Sequence, residues 1–105
     1  DNEGSMTMAN WTEEQIQQVW EKGHVVDGYD SSKYRQDDCT AWMERAQHGN
    51  RNSVLGWEID HINPNGGDGI HNLRPLQWEN NAAKGEGKLQ CVVTSQGNKN
   101  VSRGR

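Results

Sequence analysis

Asp60 and His61 stand side by side at the end of the apolar run Val54-Leu55-Gly56-Trp57-Glu58-Ile59, with Asn72 11 positions beyond the histidine (61 to 72) and Asn81 9 beyond that (72 to 81). An imidazole is largely neutral at pH 7 and accepts a proton from water, so His61 is the candidate general base. Asp60 offers a carboxylate oxygen and Asn81 an amide oxygen. These are hard donors of the kind a magnesium ion takes while keeping several of its waters. Were the two to serve one divalent ion, a pair of oxygens would favour Mg2+ first and Mn2+ next over softer ions such as zinc or nickel, which draw nitrogen donors. Lys84 follows Asn81 by three residues, one helical turn along the same face, and Arg74 lies on the segment between the two asparagines. Both are candidates to meet a phosphate.

Those side chains need a scaffold that holds a strand end, a loop and a helix together. Leu55, Trp57 and Ile59 share one face by the period of two, which predicts a strand ending at Asp60. Asn63-Pro64-Asn65-Gly66-Gly67-Asp68-Gly69 is a dense loop signal, Leu73 to Gln77 fits a short strand, and Trp78 to Lys84 fits a helix that Gly85 and Gly87 stop. Upstream, Thr12 and Gln15 form a capping box, Trp11 can staple onto Ile16, and Ile16, Val19 and Trp20 fall on one helical face that Gly23 would end by a left-handed exit. His24 to Asp38 reads as loop. Thr40 to Arg45 and Val54 to Asp60 flank a turn-rich stretch and read as an antiparallel hairpin. Cys91 to Thr94 reads as a last edge strand before a loose polar end.

The stretch from Trp57 to Lys84, with Glu58-Ile59-Asp60-His61-Ile62, Asn72-Leu73-Arg74-Pro75-Leu76 and Asn80-Asn81-Ala82-Ala83-Lys84, resembles the HNH nuclease motif. The third signature position of that family is often histidine. Asn81 stands there in this chain, so the resemblance is to the HNN branch and to small bacterial or phage-type HNH proteins. The resemblance implies an α+β fold, a small single domain with a ββα-metal core, here with an added N-terminal helix and a β-hairpin. It implies a metal-dependent endonuclease acting on DNA, in which His61 activates water and Asp60 with Asn81 holds the ion that polarises the scissile phosphate and stabilises the leaving 3′ oxygen. Asn72 takes the place of the middle residue, which in the family braces the loop and so holds the base in position. Lys84 and Arg74 are the expected phosphate contacts.

Composition bounds the rest. In 105 residues, hydrophobic types make up 30% and Phe is absent, so packing must lean on tryptophans at positions 11, 20, 42, 57 and 78. Residues 1–8 read as a cloning remnant or disordered start, 9–95 as the domain with its motif core at 54–85, and 96–105 as a polar basic tail. No apolar run approaches a membrane span and no signal-peptide pattern opens the chain, which predicts a soluble, cytoplasmic protein. Cys39 and Cys91 are too few for a structural zinc site and read as a reduced pair. His24 and His48 read as surface residues, while His71 borders the motif. The net charge of −4 weighs against a nucleic-acid partner, although Lys84, Lys88, Lys99, Arg103 and Arg105 face only Glu86 in the last stretch. That charge keeps open a non-catalytic DNA-binding module that works with a partner subunit, and the tryptophans keep open a protein-interaction domain. With no separate DNA-reading module, paired cuts or sequence specificity would need a homodimer or an accessory protein.

Overall fold

The Thr12 hydroxyl accepts from Gln15 N at 3.0 Å while the Gln15 side chain accepts from Thr12 N at 2.9 Å, and this reciprocal cap starts α1 (Glu13–Trp20). Its buried stripe is Ile16, Val19 and Trp20, the face that the spacing predicts. The helix ends on Glu21 in ordinary right-handed backbone, and Gly23 is absent from the residues with positive φ. The expected left-handed exit at Gly23 is therefore wrong. Gly23 instead sits in a tight approach, where a Cβ would lie 3.2 Å from Arg35 Cβ and 3.3 Å from Met43 Cε.

The computed structural model describes residues 11 to 103, so the expected remnant at 1–8 and the last basic residue, Arg105, lie outside the described residues. Within them, two helices combine with three two-stranded antiparallel sheets in an α+β arrangement. β1 (Tyr34–Gln36) pairs with β2 (Trp42–Glu44), β3 (Trp57–His61) with β4 (Leu73–Gln77), and β5 (Val93–Gln96) with β6 (Lys99–Ser102). α2 (Trp78–Lys84) follows β4 directly and stops at Gly85, whose φ of 54° suits glycine. No described helix is long and apolar enough to cross a membrane.

The hairpin expected between Thr40–Arg45 and Val54–Asp60 does not form. β2 turns back instead on β1, inside the segment read as loop, because Asp37 organises a tight turn between them. Its Oδ1 accepts from Cys39 N and Ala41 N, both at 2.8 Å, and Thr40 N closes the turn on Asp37 O at 2.9 Å. β3 is thereby left for β4. The C-terminal end also departs from expectation, since Lys99–Ser102 is a paired strand and Arg103 N bonds Val92 O at 2.7 Å. Through residue 103 the expected loose tail is part of the fold.

Cys39 and Cys91 form a disulfide, with Cα atoms 5.3 Å apart, against the expectation of a reduced pair. Spacing along the chain carried no sign of it; folding brings the β1–β2 turn against the start of the last hairpin. The core holds Ile16, Val19, Trp20, Met43, Trp57, Ile59 and Leu73, with Trp11 packed on its rim. Trp20, Trp42 and Trp57 are buried as the composition demands, whereas Trp78 is only half-buried, with its indole N–H donated to Ser53 O at 2.9 Å.

Candidate functional site

Strand alternation sorts the motif between two faces of the β3–β4 pair. Trp57 and Ile59 point into the core beneath α1, and His61 continues that face, its ring 5.8 Å from the Trp11 ring. Glu58 and Asp60 take the opposite face, toward α2. Residues two apart on a strand then meet residues three apart on a helix. Asn81 Nδ2 donates to Glu58 Oε1 at 2.8 Å, and Lys84 Nζ lies 3.2 Å from Asp60 Oδ1. Arg74, directly across the sheet from Asp60, donates Nε to Asp60 Oδ2 at 2.9 Å.

Beyond one bridge from His48 to Trp57, no described strand pairs with the outer edge of β3. Two adjoining depressions border that region. Asp60, His61, Asn81 and Lys84 line one, with Pro64 and Glu86, while His48, Arg51 and Glu58 line the other. His61 and Asn81 border both. The expected base and both expected ion ligands thus share one groove.

His61 Nε2 sits 2.6 Å from Asp68 Oδ1. A carboxylate only accepts, so the neutral imidazole must carry its proton on Nε2 to make this bond, which leaves Nδ1 as the basic nitrogen. Asn72 spans the loop that delivers Asp68. Its Oδ1 accepts from Asn63 N at 2.9 Å, and its Nδ2 donates to Asn63 O at 2.9 Å and Gly67 O at 2.8 Å. Gly66 packs so close to this amide that a Cβ would fall 2.8 Å from Asn72 Nδ2.

The two expected phosphate contacts are turned inward. Lys84 has a side chain 2% exposed, with its ammonium held between Asp60 Oδ1 and His61 O. Arg74 bridges Asp60 and Asp38, reaching Asp38 Oδ2 at 3.3 Å. Asp60 itself is 4% exposed, and a carboxylate so enclosed needs both cations. His48 corrects the surface reading: it is half-buried and packs edge-on to Trp57 at 4.8 Å between ring centres. Burial first, and then the Arg45 charge, pushes its pKa down. His24 is exposed beside Asp38, and His71 is exposed.

Sequence reasoning passed over Glu58. Burial pushes its carboxyl up, yet the Arg51 guanidinium at 2.6 and 2.8 Å together with the Asn81 amide outweighs this and holds it below the ordinary carboxylate range. The period of two could have found it, since it shares a strand face with Asp60. Arg51 and Asp68 sit in loops with no local signal.

An ion site can be tested on the oxygens. Asn81 Nδ2 is committed to Glu58, which fixes the amide orientation, and no described side chain or backbone group donates to Asn81 Oδ1. Among the described residues no three His, Cys, Asp or Glu side chains converge as a metal cage. Asp60 and Asn81 therefore offer two oxygens, which suits a hard ion that keeps most of its waters. Both Asp60 oxygens are already engaged, Oδ1 by Lys84 and Oδ2 by Arg74, so the donor set fits an ion that would take the place of the Lys84 ammonium on Oδ1. Comparisons with protein-family models, with curated proteins and with solved structures return no match.

Proposed function

We propose that this chain is a divalent-metal-dependent HNH endonuclease, built on a ββα-metal core formed by β3, β4 and α2, that hydrolyses DNA phosphodiester bonds. The observation that carries the reading is the meeting of His61, Asp60 and Asn81 on one groove, with the Asn81 amide oriented so that its oxygen is open. Asp60 Oδ and Asn81 Oδ1 would hold one ion, Mg2+ or Mn2+. When bound, that ion supplies charge neutralisation on the phosphate and on the departing 3′ oxygen.

The chain's own residues do the remaining work. His61, held through Nε2 by Asp68, takes the proton of the attacking water on Nδ1. Asn72 keeps the loop closed so that Asp68 stays in reach. Arg51 and Glu58 fix Asn81, and Trp11 covers one side of the imidazole. The partner is DNA, with a homodimer or an accessory protein required for double-strand cutting.

The test is incubation of supercoiled plasmid with the purified protein across Mg2+, Mn2+, Zn2+ and EDTA, with His61→Ala beside it. Metal-dependent nicking abolished in the variant is the expected result; equal nicking by both proteins removes the mechanism.

A second reading draws on the inward-turned cations. Lys84 and Arg74 neutralise Asp60 rather than facing a backbone, and the net charge is −4. Both features suit a non-catalytic DNA-binding module that borrows affinity from a partner subunit. Duplex binding without cleavage in any metal selects that reading.

A further inference from the structure

We propose that Lys84 is a built-in counter-ion for the Asp60 site, so that a divalent ion and a phosphodiester load together rather than one by one. The inference rests on the nuclease reading and concerns the order and strength of loading at the same groove.

The first observation is where Lys84 ends. Lysine heads normally reach water, yet this side chain is 2% exposed and its ammonium is 3.2 Å from Asp60 Oδ1 and 3.2 Å from His61 O. An ammonium has three donors, and only these two acceptors engage it among the described residues. It occupies the oxygen through which Asp60 would hold a metal. The second observation is the local charge balance. Asp60 and Asp38 carry two negative charges, and Arg74 and Lys84 carry two positive ones in the same chain of contacts. Nearby Glu58 is already matched by Arg51.

A divalent cation entering this cluster adds two positive charges to four groups that already neutralise one another, with Glu86 as the further acid on the same depression. It must also break the Lys84–Asp60 pair. A phosphodiester brings a negative charge, and it gives the displaced ammonium a new acceptor on the groove that Lys84 already lines. Each ligand removes part of the other's cost. The coupling is reciprocal, so DNA must raise ion affinity by the factor by which the ion raises DNA affinity. Lys84 thereby suppresses ion binding to the free protein and promotes it on the substrate.

The experiment measures Mn2+ affinity by the resonance signal of the free ion. Proteins carrying His61→Ala prevent turnover, with Lys84 or with Lys84→Met, each with and without a short DNA duplex. With Lys84 present, the duplex should tighten Mn2+ by about tenfold or more. In Lys84→Met without duplex, Mn2+ should bind about tenfold tighter than in the lysine protein, and the duplex should tighten it by less than it does with Lys84 present. Unchanged or weaker Mn2+ binding in folded Lys84→Met overturns the proposal. So does a duplex that leaves the affinity of the lysine protein unaltered, a result that needs no variant at position 84 and decides the matter if Lys84→Met fails to fold. Plasmid nicking by the protein with His61 intact separates the two ideas. Nicking together with uncoupled Mn2+ affinities removes the counter-ion role and leaves the nuclease, whereas absence of both Mn2+ binding and nicking removes both.

Discussion

Asn80 and Asn81 are neighbours on α2, and each faces a buried carboxylate from a distant part of the chain, but their surroundings are opposite. Asn80 is 0% exposed and fully partnered. Its Nδ2 meets Asp37 Oδ2 at 3.1 Å and Val93 O at 2.9 Å, and its Oδ1 accepts from Val92 N and Val93 N, both at 2.9 Å. Asp37 in turn accepts four N–H donors, the last from Gln77 N at 2.9 Å. Asn81 uses one end of its amide and leaves the oxygen free in the groove. A closed network rigidifies; an amide with one open oxygen can receive a ligand. The Asp37–Asn80 side is therefore the clasp that joins the β1–β2 turn, α2 and the last hairpin, and the Asp60–Asn81 side is the proposed working face it supports.

The disulfide belongs to the clasp, and its loss gives the largest expected effect. With the cysteines 52 positions apart, reduction should cost about 4 kcal/mol, read as a fall in the urea midpoint between oxidised and reduced protein. No change in midpoint would mean that the hydrogen bonds around Asp37 carry the clasp alone. Next, Asn80→Ala should destabilise by about 3 kcal/mol, because Val92 N and Val93 N lose their acceptor and Asp37 a donor. Asn81→Ala, which removes one donor from Glu58, should cost about 1.5 kcal/mol in the same titration while abolishing metal-dependent nicking. Equal destabilisation by the two variants would erase the distinction between clasp and working face.

A smaller effect sharpens the picture on the groove side. Gly66→Ala forces a Cβ onto the Asn72 amide and should cost about 2 kcal/mol, with nicking reduced further than stability alone explains because the loop carrying Asp68 shifts. Wild-type activity in that variant would remove the loop brace from the mechanism. The smallest effect is acid dependence at Glu58. Its carboxyl is held below the ordinary glutamate range in the folded state, so its contribution to stability is complete above that range and is lost as pH falls through the lower folded value. Urea titrations of wild type and Glu58→Gln should show a steeper acid decline in the wild type; parallel declines would place the effect elsewhere.

Much of the working face was legible in sequence because it is local. The Thr12–Gln15 cap, the apolar stripe of α1, the alternation along β3, the loop glycines and the stop at Gly85 each depend on residues a few positions apart, where backbone geometry acts directly. Asp60, His61, Asn72 and Asn81 were singled out by the resemblance of one continuous stretch to the HNH motif, and Glu58 was within reach of the alternation along the same strand. The clasp was not legible. The β1–β2 and β5–β6 hairpins are close in sequence, but their strands are three or four residues long and carry no apolar alternation to announce them; the joining of Cys39 to Cys91 spans 52 positions and depends on contacts that exist only once those segments meet.

The sequence by itself therefore determined α1, β3, β4 and α2 and the types and order of the groups at the groove. Tertiary structure alone decided their electrostatic state. Whether Lys84 and Arg74 face solvent or Asp60, whether His61 finds Asp68, and which end of the Asn81 amide remains free all depend on side chains brought together across β3, β4, α2 and the loop. Charge pairing and desolvation act through distances in space, and spacing along the chain does not specify those distances.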